Sequence, residues 1–140
     1  KIDGIVEFGR QTLVGADYGL LDHSYQPTPA FWVAATWSRI MGPIVLDADD
    51  VYLHCGRGWL GAAFTAADSR TLDFRDLPVS EAAVDVWLFT LPADDLNATS
   101  LLLNGRPVDD ARQRTHLPPD RAASLVFRVP RLSFGFFRCF

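Results

Sequence analysis

The chain has 140 residues, 49% of them apolar and 21% charged, with 13 basic against 17 acidic residues and a formal net charge of −4. That is the length of one ordinary domain with enough apolar side chain for a core, which excludes disorder for the chain as a whole. No Lys/Arg run supplies a nucleic-acid footprint, and no apolar run approaches the roughly 20 residues that span a bilayer, so neither nucleic acid nor a transmembrane span is expected.

Gly4 to Val14 reads as a strand that leads into a loop at Gly15 to Tyr18. Thr28 is a candidate N-cap, and Pro29 suits the first helical position, where its missing N–H costs nothing. Phe31 to Met41 follows with Val33, Trp37, Ile40 and Met41 at helical spacing, and Gly42-Pro43 predicts the stop. Residues 1–43 therefore read as a strand–loop–helix unit.

Beyond Pro43 the runs Ile44–Leu46, Val51–His54, Trp59–Thr65, Val84–Leu91, Ser100–Leu103, Leu125–Val129 and Leu132–Arg138 are short, rich in β-branched, aromatic or leucine residues, and separated by turn formers. The alternation from Val84 to Phe89 predicts a half-buried strand, and Asn104-Gly105 predicts a hairpin turn. Residues 44–140 are thus expected to form an antiparallel β-sandwich, which makes the chain mainly β. Lys1 in place of Met, with no signal-peptide pattern after it, suggests a piece of something longer, either a processed product or a truncated gene model.

Chemistry-bearing residues are sparse. Cys55 and Cys139 are too few for a disulfide framework and lack metal-type spacing, so one reading is two buried free thiols. Asn97-Ala98-Thr99 is an N-glycosylation acceptor pattern, meaningful only in a secreted chain. Glu7 and Glu81 are the two glutamates. Asp47-Ala48-Asp49-Asp50 lacks the rest of a calcium loop and reads as a solvated turn. No metal and no cofactor is expected.

Arg10-Gln11-Thr12-Leu13-Val14-Gly15-Ala16-Asp17-Tyr18-Gly19-Leu20-Leu21 resembles the last barrel strand and following loop of the heparanase-like β-glucuronidases, glycoside hydrolase family 79. The likeness continues through Pro27-Thr28-Pro29, Trp37 and Met41-Gly42. Val51-Tyr52-Leu53-His54-Cys55, Leu103-Asn104-Gly105 and Pro130-Arg131-Leu132-Ser133-Phe134-Gly135-Phe136-Phe137 are similar to later family motifs, in the family's order. The resemblance implies the C-terminal part of a two-domain glycosidase. Residues 1–43 would be the last βα unit of a (β/α)8 barrel, and 44–140 most of its β-sandwich. Its substrate would be a glucuronide or a glucuronic-acid-containing polysaccharide, and its immediate partner the remainder of the barrel. A secreted, lysosomal or vacuolar location follows, with or without membrane association. The alternative is a non-catalytic secreted β-sandwich module that binds carbohydrate or protein.

By the same resemblance both catalytic glutamates lie upstream of Lys1, so no residue here is expected to be catalytic. Gln11 and Tyr18 would hydrogen-bond the glucuronic acid, and the backbone at Gly15 and Ala16 would help hold its carboxylate. Ala16 and Asp17 depart from the plant-type Gly-Gly-Asn. Ala16 is costly if the site needs positive φ, and Asp17 opposes a bound carboxylate unless it points away. Asp47 to Asp50 stands where heparanase-type chains carry a basic cluster, and would repel sulfated polymers. The resemblance also pairs Cys55 with a C-terminal cysteine, for which Cys139 is the counterpart. Cys139 follows Phe137 sooner than the family cysteine does, an offset that could carry it out of bridging range.

Overall fold

The computed structural model describes residues 13–15, 19–46, 51–77, 84–95, 98, 100–108 and 117–140. Most of the expected first strand lies outside them, as do Glu7, Glu81 and Asp47 to Asp50.

Helix α1 spans Pro29–Ile40, with extended Thr28 at the N-cap and Pro29 at the first position, as the sequence predicts. The Thr28 hydroxyl does not cap the helix. It shares its one proton between the carbonyls of Gly19 (2.7 Å) and Leu20 (3.1 Å) instead. At the other end, side chains of the sheet beneath take up a carbonyl of the last turn and one just beyond the helix. The Trp59 indole N–H donates to Ile40 O (3.0 Å), and the Nδ1–H of His54 donates to Gly42 O (2.7 Å). The buried stripe is Trp32, Thr36 and Ile40. Of the expected Val33, Trp37, Ile40 and Met41, only Ile40 belongs to it, and Trp37 stays 37% exposed. The close approach of helix to sheet is at Gly61, where a β-carbon would lie 2.4 Å from Ile40 O.

Among the described residues ten strands follow: β1 (Ile44–Leu46), β2 (Tyr52–Gly56), β3 (Trp59–Ala66), β4 (Arg70–Asp73), β5 (Val84–Thr90), β6 (Leu102–Leu103), β7 (Arg106–Pro107), β8 (Asp120–Ala122), β9 (Val126–Val129) and β10 (Ser133–Cys139). Eight of them form one sheet, ordered β1-β2-β3-β10-β5-β6-β7 with β8 also paired to β5, while β4 and β9 form a second. Every pairing between these strands is antiparallel. The fold is mainly β and of β-sandwich type, as expected.

β10 sits at the centre of the large sheet, with Phe136 opposite both Ala63 and Trp87 and Phe137 opposite both Ala62 and Val86. On one face Phe137, Leu60, Phe64 and Val84 pack against Leu72, Phe74 and Val129 on the side of the small sheet. On the other, Phe136, Trp87, Phe89 and Leu103 pack against Trp32 and Ile40 of α1. This double cover corrects the expectation of a half-buried strand at Val84 to Phe89. β5 is covered on both faces, and Val84 and Phe89 are both fully buried.

The Asn104-Gly105 turn joins β6 to β7, with φ of +49° and +77°, as that dipeptide predicts. The Asn104 side chain also accepts from Leu88 N (2.8 Å) and donates to Val86 O (3.1 Å), which ties the turn to the central strands.

Candidate functional site

The loop that carries the substrate-binding expectation begins at Gly15 and returns at Gly19. Gly15 adopts φ +74°, where a β-carbon would lie 2.6 Å from Cε1 of His23. A β-carbon on Gly19 would lie 2.2 Å from the Gly15 carbonyl oxygen. The chain narrows to a neck here, where backbone closeness excludes a side chain at Gly19 and the positive φ favours glycine at position 15.

Hydrogen bonds lock that neck. Gly15 N donates to Leu21 O (2.9 Å), and Leu21 N donates to Leu13 O (2.8 Å). Leu21 also bridges Pro27, and Thr28 N donates to Leu20 O (2.9 Å). The return turn is held by Asp22, whose Oδ1 accepts from Ser24 N and Gln26 N at 2.8 Å each. With the Thr28 hydroxyl on Gly19 O, the neck is fastened to the start of α1.

Of the expected substrate-binding residues, Gly15 is buried at this neck. Gln11, Ala16 and Tyr18 lie outside the described residues, and so does the glycosylation candidate Asn97. Sequence reasoning missed His23, whose ring lies against Gly15, and the tie from Thr28 to the loop carbonyls. Neither follows from spacing, since both depend on the chain folding back.

Of the two readings of the cysteines, a Cys55–Cys139 pair or two free thiols, the structure shows free thiols. Each stands opposite Leu60, Cys55 from β2 and Cys139 from β10, so β3 runs between them. Two strand spacings make about 10 Å, beyond the roughly 7 Å that a disulfide can bridge. Burial pushes the Cys139 thiol up to about 11, and Sγ–H points at Leu60 O (3.7 Å).

Among the described carboxylates, Asp85 is buried and receives a hydrogen bond from Arg138 Nη2 at 2.9 Å, with Arg121 at 3.9 Å. Asp73 is exposed, and hydrogen bonds from the Arg75 side chain and backbone hold its carboxyl down at about 2. Both carboxylates serve ion pairs rather than facing each other across an open site. Among the described residues no three His, Cys, Asp or Glu side chains gather as a metal site would need, and no helix is long and apolar enough to cross a membrane.

No family model matches the chain. Over 60 residues, 37% of its length, the chain is 42% identical to a protein named heparanase-like protein 1 from Arabidopsis thaliana. The chain is similar to heparanase-type glycosidases. It is 41% identical to baicalin-beta-D-glucuronidase of Scutellaria baicalensis over 58 residues, 36% of the chain. Against heparanase of Rattus norvegicus the identity is 26%, over 96% of the chain. These matches cover 11%, 11% and 29% of the respective relatives, so the chain spans less than a third of their length.

Proposed function

We propose that the chain is the C-terminal portion of a retaining β-glucuronidase of the heparanase-like kind, acting on glucuronides or glucuronic-acid-containing glycans. Its contribution is the substrate loop and the sandwich, and the catalytic carboxylates come from barrel strands upstream. The observation that carries the reading is the pinched Gly15–Gly19 neck fastened to the N-terminus of α1, at the point where the sequence resembles the family's substrate loop.

The neck gives the loop a physical task. Gln11 and Tyr18 supply neutral donors to the sugar, and backbone N–H groups at the tip hold its carboxylate without a counter-charge. Asp17 then has to face away from that carboxylate. Retention further requires a nucleophile and an acid/base carboxyl roughly 5–5.5 Å apart. The proposed partner is therefore the rest of the barrel, and the proposed location is secreted, lysosomal or vacuolar.

The test is hydrolysis of 4-nitrophenyl β-D-glucuronide by the protein with its full barrel, followed by proton NMR. The reading expects β-glucuronic acid as the first-formed anomer, and no turnover above background from the 140-residue chain alone. Release of the α-anomer first, or turnover by the isolated chain, contradicts it. Failure of the full protein to cleave any aryl β-glucuronide favours the non-catalytic binding module.

A further inference from the structure

Helix α1 is apolar on more than one side. From Pro29 to Ile40 only Thr36, Ser38 and Arg39 are polar. Trp32, Thr36 and Ile40 are buried against the sheet. Ala30, Val33, Ala34, Trp37 and, at the C-cap, Met41 follow one another at i, i+3, i+4, i+7 and i+11. That spacing lines them up as a second stripe, about a third of a turn away around the helix axis. Ala30, Val33, Ala34 and Met41 are half-buried, and Trp37 is 37% exposed.

The apolar surface continues from the helix onto the sheet. Tyr52 stands opposite Ala63, and Ala63 opposite Phe136, so Tyr52 shares the face that α1 covers. His54 lies two residues further along β2 on the same face, with Val45 of β1 opposite it. The helix covers the middle of that face and leaves its β1–β2 edge open, where Tyr52 is 56% and Val45 64% exposed. Trp37 makes edge-on ring contacts to Tyr52 (5.9 Å), His54 (5.6 Å) and Phe136 (6.2 Å), which joins the stripe to the sheet edge. Single exposed apolar side chains are ordinary, whereas a contiguous patch of them marks a contact surface.

The occupant follows from the proposed function, on which it rests. A helix of a (β/α)8 barrel lays one apolar stripe on the barrel strands. In α1 the stripe through Trp32 and Ile40 is taken by the sandwich, which leaves the second stripe for the barrel. The length outside the chain agrees, because the match to rat heparanase takes in 96% of the chain and only 29% of that relative. We propose that Ala30, Val33, Ala34, Trp37 and Met41, with Tyr52 and Val45 beside them, form the surface on which the upstream barrel portion of the parent protein docks. α1 then belongs to two cores at once, and the shared helix fixes the sandwich to the barrel.

Hydroxyl-radical footprinting read by mass spectrometry compares the 140-residue chain with the protein carrying its full barrel. Trp37 and Tyr52 should be modified at least about fivefold more slowly in the longer protein, and Val126 on the second sheet should change less than about twofold. Phe136, buried in the chain alone, should stay unreactive in both, which verifies that the sandwich is folded. Ala34→Glu places a charge in the stripe. It should lower Tm by about 8 °C or more in the full-barrel protein and by less than about 2 °C in the short chain. Ser38→Glu, on the polar side of α1, should move neither by more than about 2 °C. Should the short chain not hold its fold, the contrast between these two variants in the full-barrel protein decides alone. Protection of Trp37 and Tyr52 without glucuronidase turnover supports the docking surface and contradicts the proposed activity. Turnover with both rings still reactive, or Ala34→Glu melting like Ser38→Glu, overturns the docking surface and leaves the activity standing. Protection already present in the short chain and lost on dilution points to a second copy. Protection that appears only with an added glucuronic-acid oligosaccharide points to a sugar platform, and either result overturns the proposal.

Discussion

Single residues already separate two chemistries in this chain. Cys139 is buried with its thiol raised to about 11, whereas Cys55 is half-buried. Iodoacetamide at pH 8 should label Cys55 first and leave Cys139 unmodified until the chain unfolds, with two thiols counted by mass after denaturation without reductant. The raised thiol also sets a sign: the unfolded chain ionises from the ordinary value of 9.0 and the folded one only near 11, so this group draws stability down as pH rises through that window. Asp73 works the other way. Its contribution is present above the ordinary 3.8 and is lost as pH falls toward about 2. A carboxyl NMR titration should therefore place its midpoint near 2, and Arg75→Gln should return it toward 3.8. The buried pair has a larger effect. Arg138→Met strands the Asp85 carboxylate, which is only 8% exposed, and should cost about 2–4 kcal/mol in urea unfolding, below the full cost of a sealed pair because Arg121 remains nearby.

At the scale of elements, the end of α1 depends on side chains from the sheet. Trp59→Phe keeps the ring and deletes the donor to Ile40 O, so it should cost about 1 kcal/mol and lower Tm by about 3 °C. The same contacts explain what was legible beforehand. β1, β3 and β10 lie within one residue of their expected bounds, because runs such as Trp59–Ala66 are long or strongly β-forming. β4, β7 and β8 were not anticipated. Arg70–Asp73, Arg106–Pro107 and Asp120–Ala122 are short and polar, and become strands only through pairing with β9, β6 and β5. The burial of β5 on both faces was hidden for a related reason. Its alternation comes from Asp85, which reads as a solvent-facing position until Arg138 is placed opposite it. The choice of helix stripe was equally hidden, since α1 offers two apolar stripes and only the sheet selects between them.

For the whole molecule, the sandwich class follows from strand patterning, while the candidate site was legible only as a motif. The Gly15 to Tyr18 segment marks where a loop belongs. That Gly19 closes on Gly15, that His23 covers it and that Thr28 fastens it to α1 depend on how the chain folds back within this segment, which periodicity and propensity do not encode. The fold thus supplies a rigid base for a loop whose tip, by the proposed function, meets the sugar. Tyr18→Phe in the protein with its full barrel tests this most directly, with kcat/KM toward an aryl β-glucuronide and Tm measured on the same preparation. Loss of one hydrogen bond of roughly 1.5–3 kcal/mol to the bound uronate should lower kcat/KM about tenfold to a hundredfold and leave Tm unchanged. An unchanged kcat/KM with a lowered Tm would make Tyr18 a packing residue and contradict the account.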